Sequence, residues 1–170
     1  VALVERELGK ENIRVELRLQ EVPPTLCDPG QIAQVLLNLI TNARDAMRDK
    51  GSGVITIELS RRGPQIELAV SDTGCGIPAE LLNQIFQAFV TTKIAMNSNS
   101  VSGTGLGLAI SHGIIENHKG AMRVHSIVGE GTTMFVTLPI VSYLMEEPET
   151  SQDRSMLQGL RVLLVEDESN

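Results

Sequence analysis

The chain of 170 residues contains no tryptophan, one tyrosine, three phenylalanines and two cysteines. With so few aromatic side chains, its hydrophobic core has to be built from Val, Ile, Leu, Ala and Met. Cys27 and Cys75 lie far apart, with no metal-like spacing, which favours a reducing cytosol over a disulfide framework. Positive charge is also scarce: the net charge of −7 argues against a nucleic-acid or an anionic membrane surface as partner.

Long apolar runs are missing as well. No stretch has the length of a membrane span, and no signal-like segment opens the chain. We therefore expect this part of the protein to be cytoplasmic without direct membrane contact, whether or not its parent is anchored. The first residue is Val rather than Met, so we interpret the chain as a piece of a longer protein.

The hydrophobic pattern predicts strands and helices in the order β-α-β-β-α-α-β-β. Alternating apolar residues indicate strands at 13–19, 54–59, 65–70, 121–127 and 132–138, with residues 61–64 as the first hairpin turn. Apolar spacings of three and four, together with Asp28 and Pro29 as start signals, indicate helices at 31–49, 77–86 and 106–117. The predicted fold is an α/β (α+β) two-layer sandwich, with a mixed, mainly antiparallel sheet and helices packed on one face.

Composition divides the chain into three parts. Residues 1–140 are predicted to form one domain, in which the Ser-, Asn- and Thr-rich segment 91–104 is a mobile loop. Residues 141–158 are acidic with weak periodicity, which is typical of a linker. Residues 159–170 are predicted to form a separate, strongly apolar strand that ends in acidic residues.

Three polar side chains lie on one stripe of the first long helix. Asn38, Asn42 and Asp45 follow each other at spacings of four and three, opposite the apolar stripe. A single Asn in such a place is most often a solvated residue. Two asparagines that flank Leu39 and Ile40 indicate a metal site more strongly, because an amide oxygen is a suitable ligand for Mg²⁺.

Two glycine motifs follow. SDTGCGIP places Asp72 at the end of a strand, and Gly74 and Gly76 let the backbone turn tightly against a flat ligand. GTGLGL at residues 103–108 opens a helix and exposes backbone N–H groups to an anionic phosphate. Neither motif is specific alone, since turns use such sequences and the second lacks the Lys-Ser/Thr of a Walker loop.

Taken together, five ordered segments resemble the histidine-kinase ATPase domain of the GHKL superfamily. They are NLITNARDAM (38–47), DTGCGIP (72–78), IFQAFVTTK (85–93), GTGLGLAIS (103–111) and GEGTTMFVTLP (129–139), in the family's order and at its spacing. The resemblance covers about residues 1–140. It implies that ATP and Mg²⁺ bind to the sandwich beneath a flexible lid.

The resemblance also implies roles for individual residues. Asp72 would accept a hydrogen bond from the adenine amino group, with Gly76 close to the base and Thr132 supporting Asp72 through water. Asn42 would bind Mg²⁺, and Asn38 would lie near the phosphates. The implied ATP-binding set is Asn38, Asn42, Asp45, Asp72, Gly74, Gly76, Ile77, Lys93, Gly103, Thr104, Gly105, Leu106, Gly107, Leu108 and Thr132.

Within that set, Lys93 and the backbone of residues 103–108 would hold the β- and γ-phosphates. Phe86 and Phe89 resemble the hydrophobic hinge of the lid, or else fill the core. Asp45 departs from the family, in which a Lys or His is common, so one phosphate contact has no counterpart unless Arg44 supplies it.

Related ATP hydrolases place a Glu four residues before the metal-binding Asn, where it activates water as a general base. Here that position is Asn38, which cannot accept a proton at neutral pH, so the resemblance implies phosphoryl transfer to an external acceptor. No catalytic side chain is assigned. Two alternatives stay open: a nucleotide-binding module without kinase activity, and an anti-sigma-type serine kinase.

The expected partners lie in the same parent protein. His112, His118 and His125 do not match the family's phosphoacceptor pattern, so the acceptor would be a histidine on a separate dimerisation domain. Residues 160–168, with Glu166 and Asp167, resemble the first strand of a receiver domain, which implies a hybrid sensor kinase; an ordinary buried strand is the alternative. We expect this strand to pair with an exposed sheet edge.

Overall fold

A computed structural model describes residues 8–9, 11–90 and 105–141. The strands are β1 (Ile13–Leu19), β2 (Gly53–Arg62), β3 (Gln65–Asp72), β4 (Ala121–Ile127) and β5 (Gly131–Pro139). The helices are α1 (Pro29–Met47), followed by a 3₁₀ turn (Arg48–Lys50), α2 (Ala79–Leu82) and α3 (Gly107–Asn117). This order of elements is the predicted one.

The described strands form one five-stranded sheet in the order β1-β2-β3-β5-β4. β1 runs parallel to β2, and the β2–β3, β3–β5 and β4–β5 pairs are antiparallel. The single parallel pair needs a crossover, and α1 with its 3₁₀ turn provides it. The prediction of a mixed, mainly antiparallel sheet is confirmed.

One face of the sheet packs against the helices and forms the core. Along α1 the buried residues recur at every fourth position, so they form a single stripe. Inward-facing residues of the strands meet that stripe, and each buried aliphatic side chain contributes about 1.5–3 kcal/mol. The core includes Val35, Leu39, Ala43 and Met47 of α1, Ile55, Ile57, Val70, Met134 and Val136 of the sheet, and Ile115 of α3.

The start of α1 follows the predicted signals. The Asp28 side chain accepts hydrogen bonds from the backbone N–H groups of Gly30 (2.8 Å) and Gln31 (3.1 Å). Pro29 occupies the first turn, where its missing N–H is not needed. Such a cap contributes about 1 kcal/mol and fixes where α1 begins.

Two predicted boundaries were wrong. The first hairpin turn is only Gly63 and Pro64, because β2 continues to Arg62, which pairs with Gln65 across the turn. Gly63 has a φ of 60°, which a two-residue turn favours. The helix expected at 77–86 covers only Ala79–Leu82 and continues as a series of turns, in which the Gln87 N–H donates to the Gln84 carbonyl (2.8 Å).

Three predictions fall on residues outside the described ranges. They are the mobile loop at 91–104, the linker and the strand at 159–170 with its expected pairing, so these and the domain boundaries stay predictions. In the described part of the chain, no helix is long and apolar enough to cross a membrane.

Candidate functional site

Asn38 joins α1 to α3. Its side-chain Nδ2 donates a hydrogen bond to the Oγ of Ser111 (2.8 Å), which is buried on α3. Its Oδ1 faces Gly107, where a Cβ atom would lie only 2.3 Å away. The two helices therefore approach here because residue 107 has no side chain, and the start of α3 lies against the polar stripe of α1.

Asn42, one turn further along α1, has an unpaired amide. Its Nδ2 is buried and has no hydrogen-bond partner among the described residues. An unsatisfied buried polar group costs about 1–3 kcal/mol, and in a folded protein it calls for an explanation such as a missing ligand. Asn42 therefore has a side chain that is poised for a polar ligand.

Asp45 completes the stripe as an anion that is paired with its neighbour. Its Oδ1 accepts hydrogen bonds from the Nη2 (3.0 Å) and Nε (3.3 Å) atoms of Arg44. The Arg44 guanidinium also lies 4.0 Å from Glu11. The positive group that accompanies Asp45 therefore comes from the preceding residue.

Asp72 ends β3 with a carboxylate whose two oxygens differ. Oδ1 accepts hydrogen bonds from the backbone N–H groups of Gly74 (2.7 Å) and Thr132 (3.3 Å). Oδ2 accepts none from the described residues. Burial raises the pKa of Asp72, while the two backbone hydrogen bonds and the charge of Lys50 act in the opposite direction. The carboxylate is thus fixed through one oxygen and can accept a ligand N–H with the other.

The loop after Asp72 packs against the turn of the β4–β5 hairpin. The Gly129 N–H donates to the Cys75 carbonyl (2.8 Å), and the Ile77 N–H donates to Ser126 Oγ (2.8 Å). Gly76 has a φ of 72°, and a Cβ there would lie 2.2 Å from the Ile127 carbonyl oxygen. Close contact with this hairpin is by itself enough to require glycine at position 76.

The same loop packs against α1 on its other side. The Cys75 N–H donates to the Ala46 carbonyl (3.0 Å). A Cβ on Gly74 would lie 2.6 Å from the Ala46 Cβ. The loop is therefore held between the last turn of α1 and the hairpin, with Asp72 at its base.

Thr132 contributes its backbone rather than its side chain to Asp72. Its N–H contacts the carboxylate directly, while its Oγ1 lies 2.9 Å from Ser126 Oγ and is buried. Ser126 in turn donates to the Gly131 carbonyl (2.9 Å). The two hydroxyl groups thus stabilise the hairpin that holds the loop, a role that the sequence did not indicate.

The N-terminus of α3 has no side-chain cap. Gly105, at a φ of 66°, lies against Phe89 and accepts a hydrogen bond from its N–H (3.0 Å), and Leu106 precedes the helix. Leu108 packs against the core. The N–H groups of the first turn of a helix lack intrahelical partners, so this end can bind an anion. Lys93, Gly103 and Thr104 lie outside the described residues.

The two phenylalanines predicted at the hinge of the lid differ in their surroundings. Phe86 packs beside the core, with its ring centroid 5.1 Å from that of His112. Phe89 is 74% exposed at a φ of 67°, a rare backbone conformation for a bulky residue. Core packing explains Phe86 but not Phe89.

Lys50 is a site residue that the sequence analysis missed. Its Nζ donates hydrogen bonds to the carbonyl oxygens of Thr73 (2.7 Å), Gly74 (2.9 Å) and Gly129 (3.0 Å). It therefore connects the loop after β3 to the β4–β5 turn. A Lys at the end of a helix usually indicates only a solvated charge, and backbone acceptors leave no mark in a sequence.

These features suit a ligand that has both a hydrogen-bond donor and an anionic group. Asp72 supplies a hydrogen-bond acceptor at one end. The start of α3 and the Asn42 amide supply N–H donors at the other end. No three His, Cys, Asp or Glu side chains cluster as a metal site in the described ranges.

Comparison with known proteins gives a family match. The family model described as "Histidine kinase-, DNA gyrase B-, and HSP90-like ATPase" matches residues 27–142. The chain is 37% identical to the sensor histidine kinase ZraS of Escherichia coli (strain K12) over 139 residues, which is 81% of the chain and 28% of ZraS. It is 33% identical to sporulation kinase E of Bacillus subtilis (strain 168) over 141 residues, 82% of the chain and 18% of that kinase.

Solved structures show the same fold. The catalytic domain of histidine kinase ThkA, at 32% identity, superposes with a TM-score of 0.68 over 81% of this chain and 87% of that domain. Full-length ShkA, solved in complex with AMPPNP, gives a TM-score of 0.70 at 27% identity, covering 81% of this chain and 28% of ShkA. The chain thus spans less than a third of the curated relatives above, but nearly the whole of an isolated catalytic domain.

Gly76→Ala should destabilise the protein more than Gly63→Ala does. Both residues have positive φ, which costs about 1–2 kcal/mol for a residue with a Cβ. The Cβ at position 63 meets no atom within 4 Å, whereas the one at position 76 meets the Ile127 backbone, which adds an overpacking cost of about 1–3 kcal/mol. Urea unfolding followed by circular dichroism measures the difference, and equal losses in the two variants would contradict the packing described here.

Proposed function

This chain belongs to the histidine kinase-, DNA gyrase B- and HSP90-like ATPase family, and on that basis we propose that it is the ATP-binding catalytic domain of a sensor histidine kinase. It would deliver the γ-phosphate of ATP to a histidine on a separate dimerisation domain of the same protein. The relatives named as sensor kinases and the close fit to an isolated catalytic domain support this proposal.

The observation that carries the proposal is the free oxygen of Asp72. Because Oδ1 is occupied by two backbone N–H groups, the carboxylate is fixed in one orientation. Oδ2 would accept one hydrogen bond from the amino group of adenine. Guanine presents a carbonyl oxygen in the place of that amino group, so the same carboxylate would repel it and favour adenine nucleotides.

The phosphate end would be formed by α1 and α3. The backbone N–H groups at Gly107 and Leu108 would bind phosphate oxygens, since they lie in the first turn of α3, where N–H groups have no intrahelical partner. The unpaired Nδ2 of Asn42 is a donor that fits a phosphate oxygen, and the Oδ1 of the same amide would be the ligand to Mg²⁺. When bound, Mg²⁺ would neutralise the charge that develops on the transferred phosphoryl group. Lys93, Gly103 and Thr104 are proposed to complete this end from the lid.

Asn38 favours transfer over hydrolysis. Its amide cannot take a proton from water, and its contacts with Ser111 and Gly107 hold it between the two helices. The residue therefore positions the start of α3 and activates no water. Catalysis would consist of positioning and charge stabilisation, with the nucleophile supplied by the partner histidine.

The rest of the parent is proposed to supply the partners. From the resemblance of residues 160–168 to the first strand of a receiver domain, residues 159–170 are proposed to begin such a domain. Because the reaction uses ATP, we place the domain in the cytoplasm, where ATP is available.

Asp72→Asn should abolish adenine selectivity without destabilising the protein at pH 7. The amide keeps an acceptor for Gly74 and Thr132 but presents an N–H where adenine needs an acceptor. A hydrogen bond to a charged group is worth about 1.5–3 kcal/mol, so affinity for ATP should fall by about 10- to 100-fold. Calorimetric titration with ATP and GTP measures both values, with the exposed Asp49→Asn as the control for the loss of charge.

The stability of Asp72→Asn should also depend on pH in a defined direction. Since burial raises the pKa of Asp72, the ionised carboxylate weakens the fold. The protonated carboxyl stabilises the fold, and this contribution is complete below the pKa of an unfolded aspartate and is lost as pH rises through the folded pKa. Relative to wild type, Asp72→Asn should gain stability as pH rises from the acid range to pH 7; a decrease over that range would contradict the assignment.

Asn42→Ala and Asn38→Ala should separate ligand binding from folding. The Asn42 Nδ2 has no partner to lose, so its removal should change the free energy of unfolding by less than about 1 kcal/mol. Asn38→Ala leaves the buried Ser111 hydroxyl unpaired and should cost about 1–3 kcal/mol. Urea unfolding measures both changes.

The function itself is tested with wild type and Asn42→Ala. A fluorescent ATP analogue should bind to wild type in a Mg²⁺-dependent manner, and Asn42→Ala should lose that dependence. With γ-labelled ATP, wild type should release phosphate slowly and remain unlabelled, while an added phosphoacceptor-histidine domain becomes labelled. Rapid release would favour a hydrolase, and strong labelling of the chain alone would contradict the proposal.

A further inference from the structure

The three N–H groups of the Lys50 ammonium match three carbonyl oxygens that converge on it. The Nζ lies 2.7–3.0 Å from the carbonyl oxygens of Thr73, Gly74 and Gly129. An ammonium group has three donors, so each can be used. An exposed Lys is normally solvated and free to change its rotamer, whereas this one is held to the backbone of two separate segments.

The segments that Lys50 joins are the two sides of the proposed adenine site. Thr73 and Gly74 directly follow Asp72, and Gly129 belongs to the β4–β5 turn. The Gly74 N–H donates to Asp72 Oδ1, so the residue whose carbonyl Lys50 holds also orients the carboxylate. The Gly129 N–H donates to Cys75, so the hairpin is linked to the loop at the same point.

The positive charge of Lys50 stabilises the same arrangement that its hydrogen bonds hold together. Burial raises the pKa of Asp72, and the positive charge of Lys50 opposes that rise. Three backbone carbonyl dipoles that point towards one another repel unless a cation lies between them. Lys50 therefore offsets this repulsion and supports an ionised Asp72.

We propose that Lys50 is a positioning residue for adenine recognition: its ammonium group clamps the loop after β3 to the β4–β5 turn and so holds Asp72 in its binding orientation. This inference rests on the proposed function, because it concerns the adenine end of the same site. Lys50 does not contact the ligand. It acts through the backbone of Thr73 and Gly74, from the end of the 3₁₀ turn that follows the helix carrying Asn42.

The test compares Lys50→Met with Arg48→Met. Both substitutions remove one positive charge from the same 3₁₀ turn, but the exposed Arg48 side chain forms no hydrogen bond or ion pair with the described residues. Calorimetry with ATP, ADP and adenosine should show that Lys50→Met weakens all three by a similar factor of about tenfold, of the order of one charged hydrogen bond. Arg48→Met should stay within about twofold of wild type.

Hydrogen exchange distinguishes a local clamp from general instability. In Lys50→Met the amides of Gly74 and Gly129 should exchange faster, while the amide of Val70 in the sheet keeps its wild-type rate. Lys50→Arg keeps the charge and several donors, so it should bind adenosine more tightly than Lys50→Met does. If Lys50→Met also loses overall stability, the difference in adenosine affinity between Lys50→Arg and Lys50→Met decides whether Lys50 positions the site.

The possible outcomes separate the two proposals. If wild type binds neither ATP nor adenosine, the proposed function is wrong, and the inference with it. If wild type binds both and Lys50→Met binds adenosine equally well, only the role of Lys50 is wrong. If Lys50→Met weakens the binding of ATP but not that of adenosine, Lys50 acts on the phosphate groups, and that result would also contradict the clamp.

Discussion

The loop that follows β3 lies between the end of α1 and the turn of the β4–β5 hairpin, and the proposed site depends on this contact. Gly76 allows the backbone of Ile127 to approach on one side, and Gly74 allows Ala46 to approach on the other. Asp72 is oriented from within the contact, through N–H groups of the loop and of β5. A side chain at either glycine would separate these elements and move the carboxylate.

α1 connects the two ends of the site. Its buried stripe anchors it to the sheet, while its polar stripe carries Asn38 and Asn42, and its final turns contact the loop and lead to Lys50. A rigid helix therefore fixes the distance between the phosphate end and the base end. Residues that would bind ligand are also those that weaken the fold, since Asn42 has an unpaired amide and the carboxylate of Asp72 is desolvated. Such a conflict between ligand binding and stability is expected at functional sites, and the packing of the hydrophobic core offsets the lost stability.

Much of the fold could be predicted because it depends on local periodicity. The bounds of β1 follow directly from alternation, and those of α1 and α3 follow from caps, glycines and apolar spacing. The extent of α2 could not be predicted, because residues after Leu82 leave the helix to bury Ile85 in the core. Lys50 was also beyond prediction, since its three partners come from distant parts of the chain, and so was the contact of Ser126 with Ile77. The candidate site was assembled from motif order, and the ligand-binding roles of its residues stay predictions.

The central claim is that one ligand contacts Asp72 and the start of α3 together. The most direct measurement is a nuclear magnetic resonance titration of ¹⁵N-labelled protein with AMPPNP and Mg²⁺. We expect chemical shift changes at the backbone amides of Gly74 and Thr132, at those of Gly107 and Leu108, and at the side-chain amide of Asn42, all with one dissociation constant. Changes at only one end, or two different constants for the two ends, would contradict a single nucleotide site.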